Sequence, residues 1–267
     1  MLFVCLIFSV NSYASCKLPP KEVLTVACTD KCKGWVSRSV EKAARKLKYK
    51  VRFKELNAEK TVAAHDIDAL IMPGGVDIHP KYYMNEVDHT LRDYIQENLH
   101  LAKLTKDGER RDPFEFKLAK EYFEDESWKE TPFLGICRGM QMMTVAHKVP
   151  LYLDIKTEIG IRNRRWVLDR VHAKAGSMIS QVRKKRRFLG VKNHHQGLRV
   201  PYYHLNQARF PNLKVTAHSN QGLIAEAIEF KNRPHALGVQ YHPEYTFGKT
   251  RRSHFKWLLT KACELKK

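Results

Sequence analysis

The chain has 267 residues, of which 43% are hydrophobic and 10% aromatic, a composition that excludes a disordered chain and suffices for a substantial core. Its formal net charge is +20, which is unusual for an enzyme and favours partners or surfaces of negative charge. Length alone does not decide between one large domain and two small ones.

The chain begins with an apolar run, MLFVCLIFSV, that ends in a polar stretch. This run is too short to span a bilayer but suits the core of a secretory signal, and the small residues Ser12 and Ala14, at the two positions that a signal peptidase reads, favour cleavage after Ala14. We therefore expect a signal peptide over residues 1–15 and an exported, periplasmic protein. A lipid anchor at Cys16 stays open, as does a cytoplasmic protein if the run is instead a buried strand or helix. No later segment is long and apolar enough to be transmembrane.

Strands alternate with helices in the first half of the chain. In chain order the predicted elements are strand Glu22–Cys28, helix Trp35–Leu47, strands Lys50–Leu56 and Ile67–Met72, helix Asp112–Phe123, strand Thr131–Ile136 and helix Arg138–His147. Continuously apolar strands between helices indicate a parallel sheet covered on both faces. In the second predicted helix, Asp112 is expected to be the N-cap, followed by Pro113 and, three residues after the cap, Glu115. Capping accounts for both acids, so we assign them no chemistry.

From Leu151 onward the segments are shorter and their connections more polar. The extended segments are Val167–Ala173, Phe188–Val191, Leu213–Ala217, Ile224–Phe230 and Ala236–Tyr241, and a helix over Arg251–Leu265 closes the chain. No internal repeat, low-complexity tract or Pro- or Gly-rich linker interrupts the sequence. Residues 16–267 are therefore expected to form one domain.

Six cysteines are present, and Cys5 would leave with the signal peptide. In an exported protein Cys28 and Cys32 can form a disulfide because a short turn could bring them together, but the sequence leaves this pairing open. No second cysteine or histidine pair accompanies them, so no metal site is expected. Cys263 is interpreted as a small buried residue.

One short segment, Gly135-Ile136-Cys137-Arg138-Gly139, lies where a predicted strand ends and a helix begins. A nucleophile elbow needs this setting, because a sharp turn exposes the side chain and flanking glycines allow a close approach of helix and strand. The helix N-terminus favours the thiolate form of Cys137, and the N–H of Arg138 would point towards an oxyanion. A small buried residue in a glycine-containing turn is the plainer alternative. At a strand–helix junction we favour a nucleophile.

A thiolate nucleophile needs a base, and the base needs a group that orients it. An apolar strand near the C-terminus ends in His242-Pro243-Glu244. In extended backbone His242 and Glu244 would project on the same side, so the carboxylate could hold the imidazole tautomer that faces Cys137. Taken alone, the pair would be interpreted as surface residues; beside a cysteine elbow it indicates a triad.

Two glycines, Gly74 and Gly75, follow the third predicted strand. Their backbone N–H groups are suited to meet a developing oxyanion. An ordinary tight turn is an equally good interpretation of this pair.

Five segments in order resemble those of one enzyme family: IMPGGVDIHP (71–80), RRDPFE (110–115), PFLGICRGMQ (132–141), NHHQG (193–197) and ALGVQYHPEY (236–245). They are similar to the class I glutamine amidotransferase-like hydrolases, in particular the bacterial branch that contains γ-glutamyl-γ-aminobutyrate hydrolase. The resemblance implies an α/β fold with a central, mostly parallel sheet flanked by helices, a flavodoxin-like three-layer sandwich. It also implies cleavage of γ-glutamyl amide bonds without a metal or organic cofactor.

The resemblance assigns the catalytic residues by matching position. Cys137 is the expected nucleophile, His242 the general base and acid, and Glu244 its orienting group. Gly75 and the N–H of Arg138 resemble the oxyanion hole.

The resemblance also implies residues that bind the substrate. Gly74 and Gln141 match positions beside the glutamyl group, and His194, His195 and Gln196 match a loop that lines the same pocket. For the two histidines, a purely structural role in that loop is an equally good interpretation.

The sequence departs from the family at two places. Lys192-Asn193 stands where the family commonly has Asn-Ser, and the segment Arg162–Arg187 is densely basic, with Asp169 as its only acid. A solvated surface explains most of these charges. The region Arg162–Arg187, and above all the run Arg183–Arg187, leaves open a site for an anionic envelope polymer.

Two alternatives to a γ-glutamyl hydrolase therefore stay open: the glutaminase component of an amidotransferase and an envelope protein that binds polyanions. The expected partner of the hydrolase is a small γ-glutamyl substrate. The sequence specifies neither the leaving amine nor the oligomeric state.

Overall fold

A computed structural model describes residues 16–19, 21–30, 32, 34–162, 166–246 and 249–266. The predicted signal peptide, residues 1–15, lies outside the described residues. The strands are β1 (Val23–Thr29), β2 (Lys50–Leu56), β3 (Ala69–Met72), β4 (Phe133–Ile136), β5 (Leu151–Tyr152), β6 (Val167–Ala173), β7 (Arg187–Lys192), β8 (Gly197–Leu198), β9 (Leu213–Ser219), β10 (Ile224–Phe230) and β11 (Ala236–Val239). The helices are α1 (Trp35–Leu47), α2 (His89–Glu97), α3 (Lys106–Glu124), α4 (Arg138–Ala146), α5 (Ile155–Ile159), α6 (Met178–Arg183), α7 (Val200–Leu205) and α8 (Lys249–Leu265).

Nine of the described strands form one sheet in the order β2-β1-β3-β4-β11-β10-β9-β6-β7. Neighbours from β2 to β11 are parallel. From β11 to β7 every pair is antiparallel. The parallel half corresponds to the alternation of strands and helices in the first half of the sequence. The antiparallel half comes mainly from the shorter segments after Leu151.

Helices cover both faces of the sheet because each presents an apolar stripe to it. On α1 the buried residues include Val36, Val40 and Ala43, which recur at helical spacing. This helix and α8 pack on one face, with Phe255 of α8 in the same apolar cluster. On the other face α3 and α4 pack in a second cluster. The predicted α/β architecture of a sheet between two helical layers is confirmed.

The predicted start of helix α3 was wrong. The helix begins at Lys106 and not near Pro113, because Thr105 is the N-cap and its side chain accepts a hydrogen bond from the N–H of Gly108 at 3.2 Å. Pro113 lies inside the helix and Asp112 caps nothing. Proline is common at the start of a helix, which is why the sequence predicted a start at Pro113. The helix begins earlier because Thr105 caps it and two acids in its first turn favour that start.

Most other predicted elements are present with ends shifted by a few residues. Helix α2 was missed because it carries only one buried residue, Ile95, although Asp88 caps its first turn. Helices α5, α6 and α7 have five or six residues each, too few to show a period in sequence.

Four of the five described cysteines are paired. Cys28 is bonded to Cys32, which answers the question that the sequence left open, and Cys16 is bonded to Cys263. Cys263 is buried as expected, but the interpretation as a plain core residue was wrong because its sulfur holds the start of the described chain against α8. A lipid thioether at Cys16 and this disulfide would require the same sulfur atom. None of the described helices is long and apolar enough to cross a membrane.

Candidate active site

Three adjacent parallel strands, β3, β4 and β11, end at the same edge of the sheet. Gly74 and Gly75 follow β3, Cys137 follows β4, and the segment 240–244 follows β11. Loops at the carboxyl ends of parallel strands converge, which is why residues more than a hundred positions apart meet here. The topology thus brings together the segments that the sequence singled out.

Cys137 occupies a strained turn between β4 and α4. Its backbone has φ 51° and ψ −104°, a conformation that residues with a side chain rarely adopt. Its N–H donates to the carbonyl of Val239 at 2.7 Å, which fixes the turn to β11. A Cβ on Gly139 would lie 1.9 Å from the backbone oxygen of Met72, so only glycine permits this approach of α4 to β3. Among the described cysteines, Cys137 is the one with a free thiol.

His242 lies between Cys137 and Glu244. Its Nδ1 is 2.7 Å from Oε1 of Glu244, and both side chains are buried. The expected extended backbone over these residues was wrong, because Pro243–Tyr245 form a short 3-10 turn. That turn, and not strand alternation, brings the carboxylate to the imidazole. A Cβ on Gly74 would lie 2.8 Å from Cε1 of His242, so the glycine lets the ring lie against this loop.

The charges around His242 favour its protonated form. Burial alone would lower its pKa, but the Glu244 carboxylate and a hydrogen bond with Cys137 together raise the pKa of His242 well above its usual value. Since Nδ1 faces Glu244, Nε2 is the nitrogen left for Cys137. Glu244 therefore stabilises the imidazolium form of His242 beside the free thiol of Cys137.

Gly75 lines the cavity beside Cys137, and Arg138 follows Cys137 directly in the chain. Within the described part of the chain no acceptor bonds the backbone N–H group of either residue. Arg138 is the first residue of α4, where the N–H groups of a helix lack partners inside the helix. Both donors are therefore available to an oxyanion.

A buried ionic network holds the loop after β3. Arg138 is fully buried and donates to Glu115 at 2.9 Å, to Asp112 at 2.7 Å and to the carbonyl of Val76 at 3.0 Å. Arg111 donates to the same Glu115 at 2.8 Å. The interpretation that helix capping explains Asp112 and Glu115 was wrong: both acids neutralise Arg138 and thereby position the glycine loop.

A cavity of ≈ 350 Å³ opens beside Cys137. Its lining residues are Gly75, Val76, Asp77, Lys103, Thr105, Cys137, Gln141 and residues 193–196. Gly74 is not among them and packs against His242 instead. Among the sequence-predicted binding residues, Gln141 and the 193–196 loop therefore meet at one cavity.

The polar side chains of the 193–196 loop bond mainly to the protein. Gln196 donates to the carbonyl of Ile78 at 3.2 Å and accepts from its N–H at 2.9 Å. Nδ1 of His194 is 2.8 Å from the Gln196 carbonyl, and burial lowers the pKa of His194 to about 3, so the ring is neutral. His195 lies 3.0 Å from Asp77. These contacts join the loop to the segment after β3.

Sequence reasoning missed Gln240. Its side-chain amide donates to Sγ of Cys137 at 3.6 Å, and its Oε1 accepts from Gln141 at 3.4 Å. A signal existed, since Gln240 lies two residues before His242 at the end of β11 and strand alternation places both on one side. Asp77 and Lys103 were also missed, because only the cavity shows that they lie beside Cys137.

The basic region lies on β6, α6, β7 and their connections. Arg170 and Arg187 are exposed, as are Lys184 and its neighbours up to Arg186. Arg183 differs, because it is only partly exposed and its guanidinium lies 4.4 Å from the ring centre of Phe188. Arg164 and Arg165 lie outside the described residues.

No three or more His, Cys, Asp or Glu side chains in the described ranges are grouped so that they could hold a metal ion.

Solved structures with a similar fold define the class of protein. The glutaminase domain of Trypanosoma brucei CTPS with bound acivicin superposes with a TM-score of 0.60 at 13% identity, covering 91% of this chain and 94% of that one. A glutamine amidotransferase from Thermotoga maritima gives 0.54 at 13% identity, covering 90% and 96%. At these identities the likeness establishes the fold: this is a class I glutamine amidotransferase-like α/β protein.

Sequence comparisons establish the family. Residues 51–244 match the family described as Peptidase C26. Protein NtpR from Enterococcus hirae is 30% identical over 202 residues, which cover 72% of this chain and 73% of that protein. Gamma-glutamyl-gamma-aminobutyrate hydrolase PuuD from Escherichia coli strain K12 is 26% identical over 192 residues, 67% of this chain and 65% of that enzyme. The chain belongs to the peptidase C26 family, and its relatives support a hydrolase.

Proposed function

We propose that this protein hydrolyses γ-glutamyl amides through a thioester on Cys137. The observation that carries the proposal is the position of His242, which is hydrogen-bonded to Glu244 at 2.7 Å and also to Cys137. A buried imidazole between a carboxylate and a free thiol is the arrangement that nucleophilic acyl transfer requires. The relative named as a γ-glutamyl hydrolase supports the choice of bond.

The first half of the reaction forms the thioester. The Cys137 thiolate attacks the γ-carbonyl carbon, a C–S bond forms, and the carbonyl electron pair moves to oxygen, where the N–H groups of Gly75 and Arg138 stabilise it. When the pair returns, the C–N bond breaks and the imidazolium of His242 gives its proton to the departing nitrogen. The free amine leaves.

The second half returns the enzyme to its starting state. His242, now neutral, takes a proton from water, and the hydroxide attacks the thioester carbon. The C–S bond breaks, glutamate is released, and the thiolate–imidazolium pair forms again. The glutamate γ-carboxyl loses its proton to solvent.

The cavity offers charges that complement the glutamyl group. Asp77 suits an α-ammonium and Lys103 suits an α-carboxylate, and both line the space beside Cys137. Gln141 lies between this space and Gln240. We therefore propose that Asp77 and Lys103 bind the charged α-groups of the glutamyl substrate.

A panel of γ-glutamyl amides and free glutamine tests the proposal. The expected result is release of the amine from γ-glutamyl amides at a rate well above release of ammonia from glutamine. The reverse order would favour the glutaminase component of an amidotransferase. Hydrolysis of neither would contradict both, and a protein that only binds polyanions would then be the better interpretation.

Replacing Glu244 with glutamine should lower kcat/KM about 10- to 1,000-fold and move the alkaline limb of its pH profile to lower pH. The carboxylate raises the pKa of His242, so its removal lowers that pKa and the imidazolium loses its proton sooner as pH rises. The measurement is kcat/KM against pH. Glu124→Gln, an exposed change on α3, is the control and should leave the limb in place. An unshifted limb in Glu244→Gln would contradict the role of Glu244.

Replacing Gln240 with leucine should slow alkylation of Cys137 by iodoacetamide about three- to tenfold at neutral pH. The amide donates to the sulfur, and a hydrogen bond to a charged acceptor favours the charged form. The rate is measured by mass spectrometry of the Cys137 peptide. Gln96→Leu, on the exposed side of α2, should leave the rate unchanged. Equal rates in the two variants would show that the 3.6 Å contact does not act on the thiolate.

A further inference from the structure

Three aromatic side chains surround the outer side of His242; we call Trp166, Tyr245 and Trp35 the aromatic rim. The ring centre of Trp166 lies 5.5 Å from that of His242 and 4.4 Å from that of Tyr245. Tyr245 is itself 5.4 Å from His242 and 5.8 Å from Trp35. The rim is therefore in direct contact with the residue that we propose as proton donor.

The rim does not belong to the core. Trp166 is 50% exposed and Trp35 is 46% exposed. None of the three rim residues lies in the described apolar clusters of the sheet. Trp166 also has φ 57°, a strained value for a bulky side chain. Exposed tryptophans beside a reactive group are typical of surfaces that bind an apolar or aromatic ligand.

The rim and the cavity lie beside different members of the triad. No rim residue lines the cavity, which contains Cys137 together with Asp77 and Lys103. In the proposed reaction the glutamyl half occupies the cavity, and the departing nitrogen must reach His242 to receive its proton. The group carried by that nitrogen then lies on the His242 side, against the rim.

The charges at the rim select among leaving amines. The guanidinium of Arg38 lies 5.8 Å from the ring centre of Trp35, and His242 is held in its protonated form. A leaving group with a second ammonium would be repelled by Arg38, while the charge of protonated His242 is offset by Glu244, whose Oε1 lies 2.7 Å from its Nδ1. An uncharged aromatic ring, with or without a carboxylate, fits both the flat apolar surfaces and the charge.

We infer that the aromatic rim is the leaving-group subsite and that it takes amines carrying an aromatic ring, such as the second residue of an aromatic γ-glutamyl dipeptide. The inference rests on the proposed function and deepens it, because it names the half of the substrate that the cavity does not hold. The ring would stack on Trp166 and Tyr245 while its nitrogen faces His242.

Two dipeptides that differ only in the ring test this subsite. γ-Glutamyl-phenylalanine and γ-glutamyl-alanine have the same scissile bond and the same two α-carboxylates. In the wild type kcat/KM should favour the phenylalanine substrate about tenfold or more, in line with one aromatic contact. In Trp166→Ala the ratio should fall to about two or less, and Trp166→Phe should restore part of it. Leu205→Ala, a change at a residue that is 86% exposed on α7, should leave the ratio as in the wild type.

Different results would contradict the leaving-group subsite and the hydrolase activity. Hydrolysis of both dipeptides with a ratio near one, or a ratio unchanged in Trp166→Ala, overturns the subsite and leaves the hydrolase intact. If neither dipeptide is hydrolysed faster than by Cys137→Ala, the proposed function fails. Isothermal titration of Cys137→Ala, with and without Trp166→Ala, then tests the rim separately. If Cys137→Ala binds the phenylalanine dipeptide more tightly than the alanine dipeptide, and this difference disappears in the double variant, the subsite is supported. Equal binding of the two dipeptides by Cys137→Ala overturns it.

Discussion

Replacing Cys137 with alanine should lower hydrolysis of γ-glutamyl amides by about 10,000-fold or more. The reason is that no thioester can form without the sulfur, and the oxyanion donors then have no tetrahedral intermediate to stabilise. The measurement is amine release from a γ-glutamyl amide, with wild type and variant purified side by side.

Two observations separate loss of chemistry from loss of fold. The sulfur of Cys137 is buried and small, so Cys137→Ala should keep its unfolding midpoint within a few degrees of the wild type. Iodoacetamide should label Cys137 in the wild type and abolish activity in parallel, because the other described cysteines are in disulfides. Activity in Cys137→Ala comparable with that of the wild type would contradict the assignment of the nucleophile.

Replacing Glu115 with alanine should lower the free energy of unfolding by about 3–5 kcal/mol, the usual range for removing one partner of a buried ion pair. Glu115 accepts from Arg138 at 2.9 Å, from Arg111 at 2.8 Å and from the hydroxyl of Thr29 at 2.6 Å. Without it both guanidinium groups are left in the interior with fewer acceptors. The loop that carries Gly75 also loses its anchor, so activity should fall at temperatures where the variant is still folded.

Helix α3 supplies a matched control for this prediction. Glu124 lies on the same helix, but its side chain is 68% exposed and its pair with Lys120 spans 3.7 Å. Glu124→Ala should change the free energy of unfolding by no more than about 0.5 kcal/mol, as exposed ion pairs usually do. Both values come from urea denaturation followed by circular dichroism. A loss below about 1 kcal/mol in Glu115→Ala would contradict the structural role of the buried network.

The sequence predicted the fold well where local patterns were strong. Apolar strands such as Ile67–Met72 between helices are typical of a parallel sheet covered on both faces. The strand–turn–helix context around Cys137 likewise follows from local sequence. The start of α3 was predicted wrongly, since two capping patterns compete and the earlier one, at Thr105, begins the helix.

The candidate site was predicted in part. Cys137, His242 and Glu244 lie together as expected, but the spacing argument for the last two failed because a 3-10 turn replaces the extended backbone. Gln240 was missed although its position in the strand pointed to the site. Glu115 was attributed to a local cap, whereas its partners include Arg138 on α4 and Thr29 on β1.

Local sequence by itself determined the cysteine elbow, the layered α/β architecture and the alternation of strands and helices. It did so because glycines at tight turns and apolar periodicity act over a few residues. Tertiary structure alone decided which residues meet at the carboxyl ends of β3, β4 and β11, which acids neutralise Arg138, and that Trp166 lies against His242. These contacts join residues from 23 to more than 100 positions apart, and the energy of each depends on burial and charge that no local pattern encodes.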